Sequence, residues 1–329
     1  MCRIIVKYTS FLVLCVLFSG CAHHVPISEQ SGHTLYLPEK GSGSEALFAP
    51  AFLVYETAAD YNRIGRPGAR LESDGSESIF VDPDEPVIYV GRYGFTTEKA
   101  SYTNLVYRIH FAKVPYSLIP FNITAGQNGG IMVVVTLDDQ ENPLLVSTFG
   151  TCGCYLAIVP TEYLPREAWP AQRQDEDVLE VYGERLPGVL ALQRGQRLLV
   201  QMRPAVHRVM GLSLMSGQRP DGSQNVSVRA ARLAPVSALE TLPISGTERV
   251  TSFFQEKGMC KGLVKGAVKP LESMFMSILA MDFFVGTDKA YYGTPEEGPP
   301  FYTSLKPWFR HESDIRDYGR FLRFWGWKL

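Results

Sequence analysis

The sequence lacks an excess of charge of either sign, because 32 lysines and arginines nearly balance 34 aspartates and glutamates. A basic surface that would attract nucleic acid is therefore not indicated, and we expect no nucleic-acid partner. No segment recurs at a fixed period of about 20 to 50 residues, which excludes propellers and solenoids. The remaining composition, 45% hydrophobic and 20% charged, is typical of a globular protein.

Recognisable catalytic motifs are also missing from the chain. There is no G-x-S-x-G sequence, no H-E-x-x-H sequence and no P-loop. The glycines of residues 126–130 precede an apolar run that is typical of a strand, so they do not match a dinucleotide-binding fingerprint. We therefore expect no cofactor, and the sequence leaves open whether the protein is an enzyme.

The N-terminus has the order of features found in an export signal. Arg3 and Lys7 are followed by an apolar stretch at residues 11–18 and then by Ser19-Gly20-Cys21. Eight apolar residues suit the core of a signal peptide. A membrane-spanning helix needs roughly 20.

These residues resemble the signal peptide and lipobox of bacterial lipoproteins, although Phe18 stands where that family usually has leucine. The resemblance implies that residues 1–20 are removed and that Cys21 becomes the lipidated N-terminus. The acyl chains would then hold the protein on a membrane without a spanning helix. In Gram-negative lipoproteins, Ala22 after the cysteine implies the outer membrane, with the body facing the periplasm. An uncleaved anchor, or a secretory signal with an incidental cysteine, is the alternative.

Changes in composition along the chain predict four segments. They are a signal peptide at 1–20, a flexible tether at 21–45, a β-rich domain at 46–245, and a helical segment at 246–329 packed on that domain. The fold class predicted from this order, strands first and helices last, is α+β. We expect a mostly antiparallel sheet or a sandwich, followed by C-terminal helices.

Alternating and apolar runs predict the strands that matter most for the core. Two apolar runs at 131–137 and 144–149 flank the polar segment 138–143, which predicts a β-hairpin. Residues 105–111 alternate, with Val106, Arg108 and His110 on one face and the larger apolar side chains on the other. Further strands are expected at 154–160 and 206–214.

Helices are predicted at 248–257 and at 271–285, and a last helix is predicted to start at Ser313. The second is apolar on most sides, so we interpret it as a core helix. Ile315, Tyr318, Leu322 and Trp325 recur at helical spacing and are expected to form the buried face of the last helix.

Cys152 and Cys154 are the most unusual chemical feature of the sequence. In an extended strand, residues two apart face the same way, so both sulfurs would project to one side. With Cys260 they make three cysteines in the mature chain besides Cys21. We expect one of the pair to form a disulfide with Cys260, because a bond within the pair would close a tight ring. We also expect Cys152 to be more exposed than Cys154.

Chemical roles for the same residues remain open. Cys152 and Cys154 could bind a soft metal ion together with His110 and His207, which lie in predicted strands. One cysteine could instead act as a nucleophile with a histidine as its base. The leading hypothesis is a lipid-anchored binding or structural module of the cell envelope, with an envelope enzyme or a metal or redox protein as the alternative.

Overall fold

A ten-stranded mixed sheet forms the body of this computed structural model. The structure describes residues 27, 32–118, 121–173, 176–215, 225–291 and 298–329. The predicted signal peptide and the lipidation candidate Cys21 lie outside the described residues.

The strands are β1 (His33–Pro38), β2 (Ala51–Val54), β3 (Arg66–Leu71), β4 (Glu77–Asp82), β5 (Val87–Thr96), β6 (Ser101–His110), β7 (Lys113–Val114), β8 (Gly126–Gln127), β9 (Gly130–Leu137), β10 (Pro143–Gly150), β11 (Ala157–Pro160), β12 (Val178–Val181), β13 (Glu184–Pro187), β14 (Leu198–Met202), β15 (Val209–Leu214), β16 (Val226–Pro235), β17 (Leu242–Pro243) and β18 (Val250–Thr251). The helices are α1 (Ser44–Leu47), α2 (Pro270–Ala280) and α3 (Tyr318–Phe324), and several short 3-10 turns occur between the elements.

Strand order in the large sheet is β11-β10-β9-β6-β5-β16-β1-β2-β14-β15. Neighbours are antiparallel except where β5 meets β16, β16 meets β1, and β2 meets β14. The other strands form two-stranded ribbons. The sheet is curled, so one apolar cluster contains both Val133 of β9 and Leu212 of β15. The α+β fold and the mainly antiparallel sheet are therefore confirmed.

The predicted hairpin is formed by β9 and β10, which are buried along almost their whole length. Side chains of β9 alternate between two apolar clusters, with Val133 and Val135 in the first and Met132 and Val134 in the second. A strand covered on both faces is typically a continuous apolar run, which explains why β9 and β10 contain no charged residue. The alternation predicted for residues 105–111 is also confirmed, since Leu105, Tyr107, Ile109 and Phe111 all lie in the first cluster.

The flexible tether predicted for 21–45 is wrong from His33 onwards. Residues 33–38 form β1, which pairs with β16 on one side and β2 on the other. Leu35 and Tyr36 are fully buried there. The predicted tether 21–45 as a whole has few apolar residues. Pairing on both sides nevertheless satisfies the backbone groups of β1, and composition alone cannot predict this pairing.

The helix predicted at 248–257 is also wrong, since this segment contains β18 and irregular chain. α2 overlaps the predicted 271–285 helix but begins one residue earlier and ends five residues sooner. It is not a core helix, because only Glu272 and Ala280 of it are buried. The last helix begins after Asp317, whose side chain accepts a hydrogen bond from the Arg320 N–H, and not at Ser313.

The second apolar cluster contains three of the four residues expected on the buried face of the last helix. Ile315, Tyr318 and Leu322 pack in it between α3 and the β9–β10 hairpin. Trp325 is 38% exposed, so the fourth position of that prediction is wrong.

Candidate functional site

Cys152 and Cys154 lie in a tight turn after β10, and not in a strand. The Gly153 N–H donates to the Gly150 carbonyl at 2.8 Å, and the Gly150 N–H donates to the Cys154 carbonyl at 2.7 Å. Gly153 has a φ of 96°, and a Cβ placed on it would stand 2.3 Å from the Tyr302 carbonyl oxygen. Glycine at this position therefore allows both the turn and its close contact with the C-terminal segment.

The two cysteines form a disulfide with each other, and their Cα atoms are 5.7 Å apart. Cys260 is a free cysteine in a 3-10 turn, so the expected disulfide to Cys260 is wrong. The exposure order is also the reverse of the prediction, because Cys152 is buried and Cys154 is half-buried. Both errors come from assuming extended backbone, which the Gly153 turn does not have.

His110 is fully buried at the end of β6, where its Nε2 accepts a hydrogen bond from Arg108 Nε at 3.0 Å. Burial, together with the Arg108 charge, holds the pKa of His110 well below its usual value, so the ring is neutral. His110 Nδ1 lies close to Gly130. The side chain of Thr151, which precedes Cys152, also packs against Gly130.

His207 precedes β15 and is not in a strand. Its ring stacks on Phe111 with centroids 4.0 Å apart, and Nε2 lies 3.3 Å from Asn62 Oδ1. Burial lowers the pKa of His207 to about 3. It lines a small cavity together with Cys152 and Cys154, so the structure brings His207 and the cysteines to one place. Stacking and the Asn62 contact are typical of a packed structural histidine.

The metal-site alternative is not supported by the arrangement. The two sulfurs are bonded to each other, and thiolates are the form that binds a metal. In the described part of the chain, no group of three or more histidine, cysteine, aspartate or glutamate side chains is arranged to hold a metal ion.

A larger cavity, which we call the disulfide cavity, lies on the other side of the cysteine turn. It has a volume of about 110 Å³ and lies between the turn, α2 and the segment at 302–305. Its walls combine apolar, aromatic and acidic side chains, including Cys154, Tyr155, Glu272, Met276, Tyr302 and Leu305. Mostly apolar walls with a few polar groups are typical of a small-molecule site.

Glu272 is the acidic group of this cavity. Its side chain is buried, and its Oε2 atom has no hydrogen-bond partner among the described residues. Burial raises the pKa of Glu272, although the nearby Lys269 charge opposes the shift. A Cβ placed on Gly286 would stand 2.5 Å from the Glu272 carboxyl, so the chain passes directly over this group. A buried carboxyl oxygen without a partner is unusual in a folded protein.

Buried ionic groups connect Glu272 to the disulfide turn. Lys269 Nζ is 2.9 Å from Asp288 Oδ1, and both side chains are almost completely buried. Burial alone would lower the pKa of Lys269, but Asp288 and Glu272 raise it overall. Lys289 donates its backbone N–H to the Thr151 carbonyl at 2.8 Å, and burial lowers the pKa of its amine to about 8.

Sequence reasoning found the cysteines but missed Glu272 and the buried lysines. These residues lie in apolar stretches, where a charged side chain is expensive to bury without a role or a partner. That mismatch was a signal in the sequence. It could not show that Glu272 and the cysteines, more than 100 residues apart, line one cavity.

Comparison of the chain with protein-family models, with curated proteins and with solved structures gives no match. Among the described residues, no helix combines the length and the apolar character needed to cross a membrane.

Proposed function

We propose that the protein is a lipid-anchored component of the bacterial cell envelope whose body is a binding module. The anchor is supported by the order of Arg3 and Lys7, the apolar stretch and Ser19-Gly20-Cys21. Ala22 supports the outer membrane as its location in a Gram-negative cell, with the body in the periplasm.

Replacing Cys21 by serine tests the anchor. Serine has no thiol to be acylated, so the Cys21→Ser chain should keep its signal peptide and incorporate no radiolabelled palmitate. The wild-type chain should be labelled and shorter by the length of the signal. Cys15→Ser, within the apolar stretch, is the matched control and should still be labelled. Unchanged labelling of Cys21→Ser would contradict the anchor.

The binding role depends mainly on one observation: Glu272 lines the disulfide cavity, and its Oε2 atom has no hydrogen-bond partner among the described residues. A ligand that donates a hydrogen bond or carries a positive charge would satisfy this atom. Because Met276, Leu305 and three tyrosines also line the cavity, the rest of the ligand should be apolar. The ligand class is therefore a small amphiphile with a cationic or hydrogen-bond-donating head group.

Octylammonium, octanol and octanoate, which share one apolar tail, test this class by calorimetry. We expect octylammonium to bind best and octanoate worst, because the Glu272 carboxylate attracts the cation and repels the anion. Glu272→Gln should weaken octylammonium binding by roughly ten-fold, the usual effect of losing a hydrogen bond to a charged group. Glu256→Gln, at an exposed glutamate, should leave binding unchanged.

The pH dependence of binding gives an independent check. Because burial raises the pKa of Glu272, part of its population is protonated at a pH where exposed glutamates are not. A cation favours the carboxylate, so binding should release protons and strengthen as the pH rises through that pKa. Equal binding by Glu272→Gln, or octanoate binding as tightly as octylammonium, would rule out this role for Glu272.

An envelope enzyme or redox protein that uses Cys152 or Cys154 with His110 or His207 remains the alternative proposal. The disulfide between residues two apart, on a cavity wall, is the observation in its favour. It has weaker support because His110 accepts from Arg108 and His207 is stacked on Phe111, so neither is poised as a general base.

A further inference from the structure

α2 and the chain next to it form an exposed apolar surface, which we call the apolar ridge. Its members are large apolar side chains that remain open to solvent, namely Met274 (57%), Ile278 (81%), Leu279 (59%), Met281 (75%), Phe283 (88%) and Trp308 (69%). Trp308 belongs to this surface because Arg310, two residues later, donates a side-chain hydrogen bond to the Ala280 carbonyl at the end of α2. A contiguous apolar surface of this kind marks an interaction site.

The outward side of α2 has no charged group. Glu272 is the one charged residue within Pro270–Ala280, and it points into the disulfide cavity. A surface helix of a soluble protein normally turns charged or polar side chains towards water. The outward side of α2 is therefore built to contact something apolar.

A series of contacts links the point where the chain enters the fold to the start of α2. The Thr57 N–H donates to the Gly32 carbonyl at 2.8 Å, directly before β1. In the loop that follows, Asn62 Oδ1 lies 3.3 Å from His207 Nε2. His207 lines the small cavity together with Lys269, the residue before α2. Thr57, Asn62 and His207 therefore connect the start of β1 to Lys269 at the start of α2.

We infer that the apolar ridge lies on the surface of the bilayer that holds the acylated Cys21. This inference depends on the lipid anchor in the proposed function. The segment 22–32 between the anchor and β1 can span at most about 40 Å when fully extended, so the body must stay near the membrane. Lys306 is exposed two residues before Trp308, where its amine can meet lipid phosphates. Exposed apolar and aromatic side chains on a helix are typical of a face that contacts the bilayer interface.

Docking of the ridge would place the mouth of the disulfide cavity at the membrane surface. Met276 of α2 and Leu305 before Trp308 both line that cavity. An amphiphile could then pass between the bilayer and the cavity without crossing water.

Quenching of tryptophan emission by brominated lipids tests the docking. The acylated full chain is reconstituted in phosphatidylcholine–phosphatidylglycerol vesicles with or without bromine on the acyl chains. The chain has four tryptophans, of which Trp308 is the most exposed and Trp169 and Trp327 are buried. We expect bromine to quench the wild-type emission and Trp308→Phe to lose most of that quenching. Trp325→Phe is the matched control and should keep it.

Phe283→Asp gives a second test, because it adds a charge to the ridge without removing a tryptophan. We expect it to lose most of the bromine quenching of Trp308. Equal emission in brominated and plain vesicles, from a chain whose acylation is verified on the same sample, would overturn the docking and leave the anchor intact. Quenching of a chain that carries no acyl group would support docking of the ridge, and only a lack of acylation on the wild-type chain would contradict the anchor. A bromine-insensitive chain that forms dimers would assign the ridge to a second copy and overturn the inference.

Discussion

Replacing Leu322 by aspartate is expected to lower the free energy of unfolding by about 4 kcal/mol, because the new carboxylate has no partner in an apolar environment. Leu322 is 1% exposed on α3. It packs in the cluster that joins α3 to Val134 of β9 and Phe149 of β10. Urea denaturation followed by far-ultraviolet circular dichroism measures the change.

Arg320→Ser is the matched control on the opposite side of α3. Arg320 Nε forms an exposed ion pair with Asp317 Oδ2 at 3.2 Å, and such pairs contribute less than about 1 kcal/mol. The two variants should therefore differ by several kcal/mol. If Leu322→Asp unfolded at the same urea concentration as wild type, the C-terminal helix would not be part of the cooperative core.

The β9–β10 hairpin, and the alternation of side chains between the two faces of β6, could be predicted because both depend on residues that are close in sequence. Two apolar runs around a polar turn specify a hairpin, and period-2 alternation specifies which side of a strand is buried. Both signals depend on neighbouring residues only. The last helix can be predicted for the same reason, although it begins five residues after Ser313, at Tyr318.

β1 and the irregular chain at 248–257 could not be predicted because they depend on distant partners. β1 is held by β16, almost 200 residues later, and by β2. The 248–257 segment has helical composition but pairs its β18 residues with β17 and packs Phe253 into a buried cluster. Tertiary contacts override local propensity in such segments.

The candidate site was predictable only in part. Cys152 and Cys154 attract attention by their spacing, but the disulfide requires the Gly153 turn, which is fixed by contact with Tyr302. Glu272 could be noted as a charge in an apolar stretch. Glu272 lies in the same cavity as the cysteines because α2 packs beneath the cysteine turn. No local sequence pattern predicts that packing.

Glu184→Gln should have the other large effect, a loss of about 3 kcal/mol, because it removes a charge from a buried ionic group. Glu184 of β13 is 5% exposed. One of its carboxylate oxygens lies 2.9 Å from Arg203 Nη2, and the other lies 3.0 Å from Arg208 Nε. Glutamine keeps the shape but removes the negative charge that both guanidinium groups contact. Urea denaturation at neutral pH measures the loss.

The acid side of the stability curve tests the same group. Burial alone would raise the pKa of Glu184, but hydrogen bonds and charges from Arg203 and Arg208 lower it overall. The stabilisation is therefore complete above the unfolded glutamate pKa of about 4.3 and is lost as the pH falls through the lower folded value. Wild type should lose stability more steeply than Glu184→Gln below about pH 4, since the variant has no carboxyl to protonate there. Glu180→Gln, on the exposed side of the neighbouring strand β12, is the matched control and should keep the wild-type curve. Equal stability of the Glu184 and Glu180 variants at neutral pH would mean that desolvation of these three charges cancels their attraction.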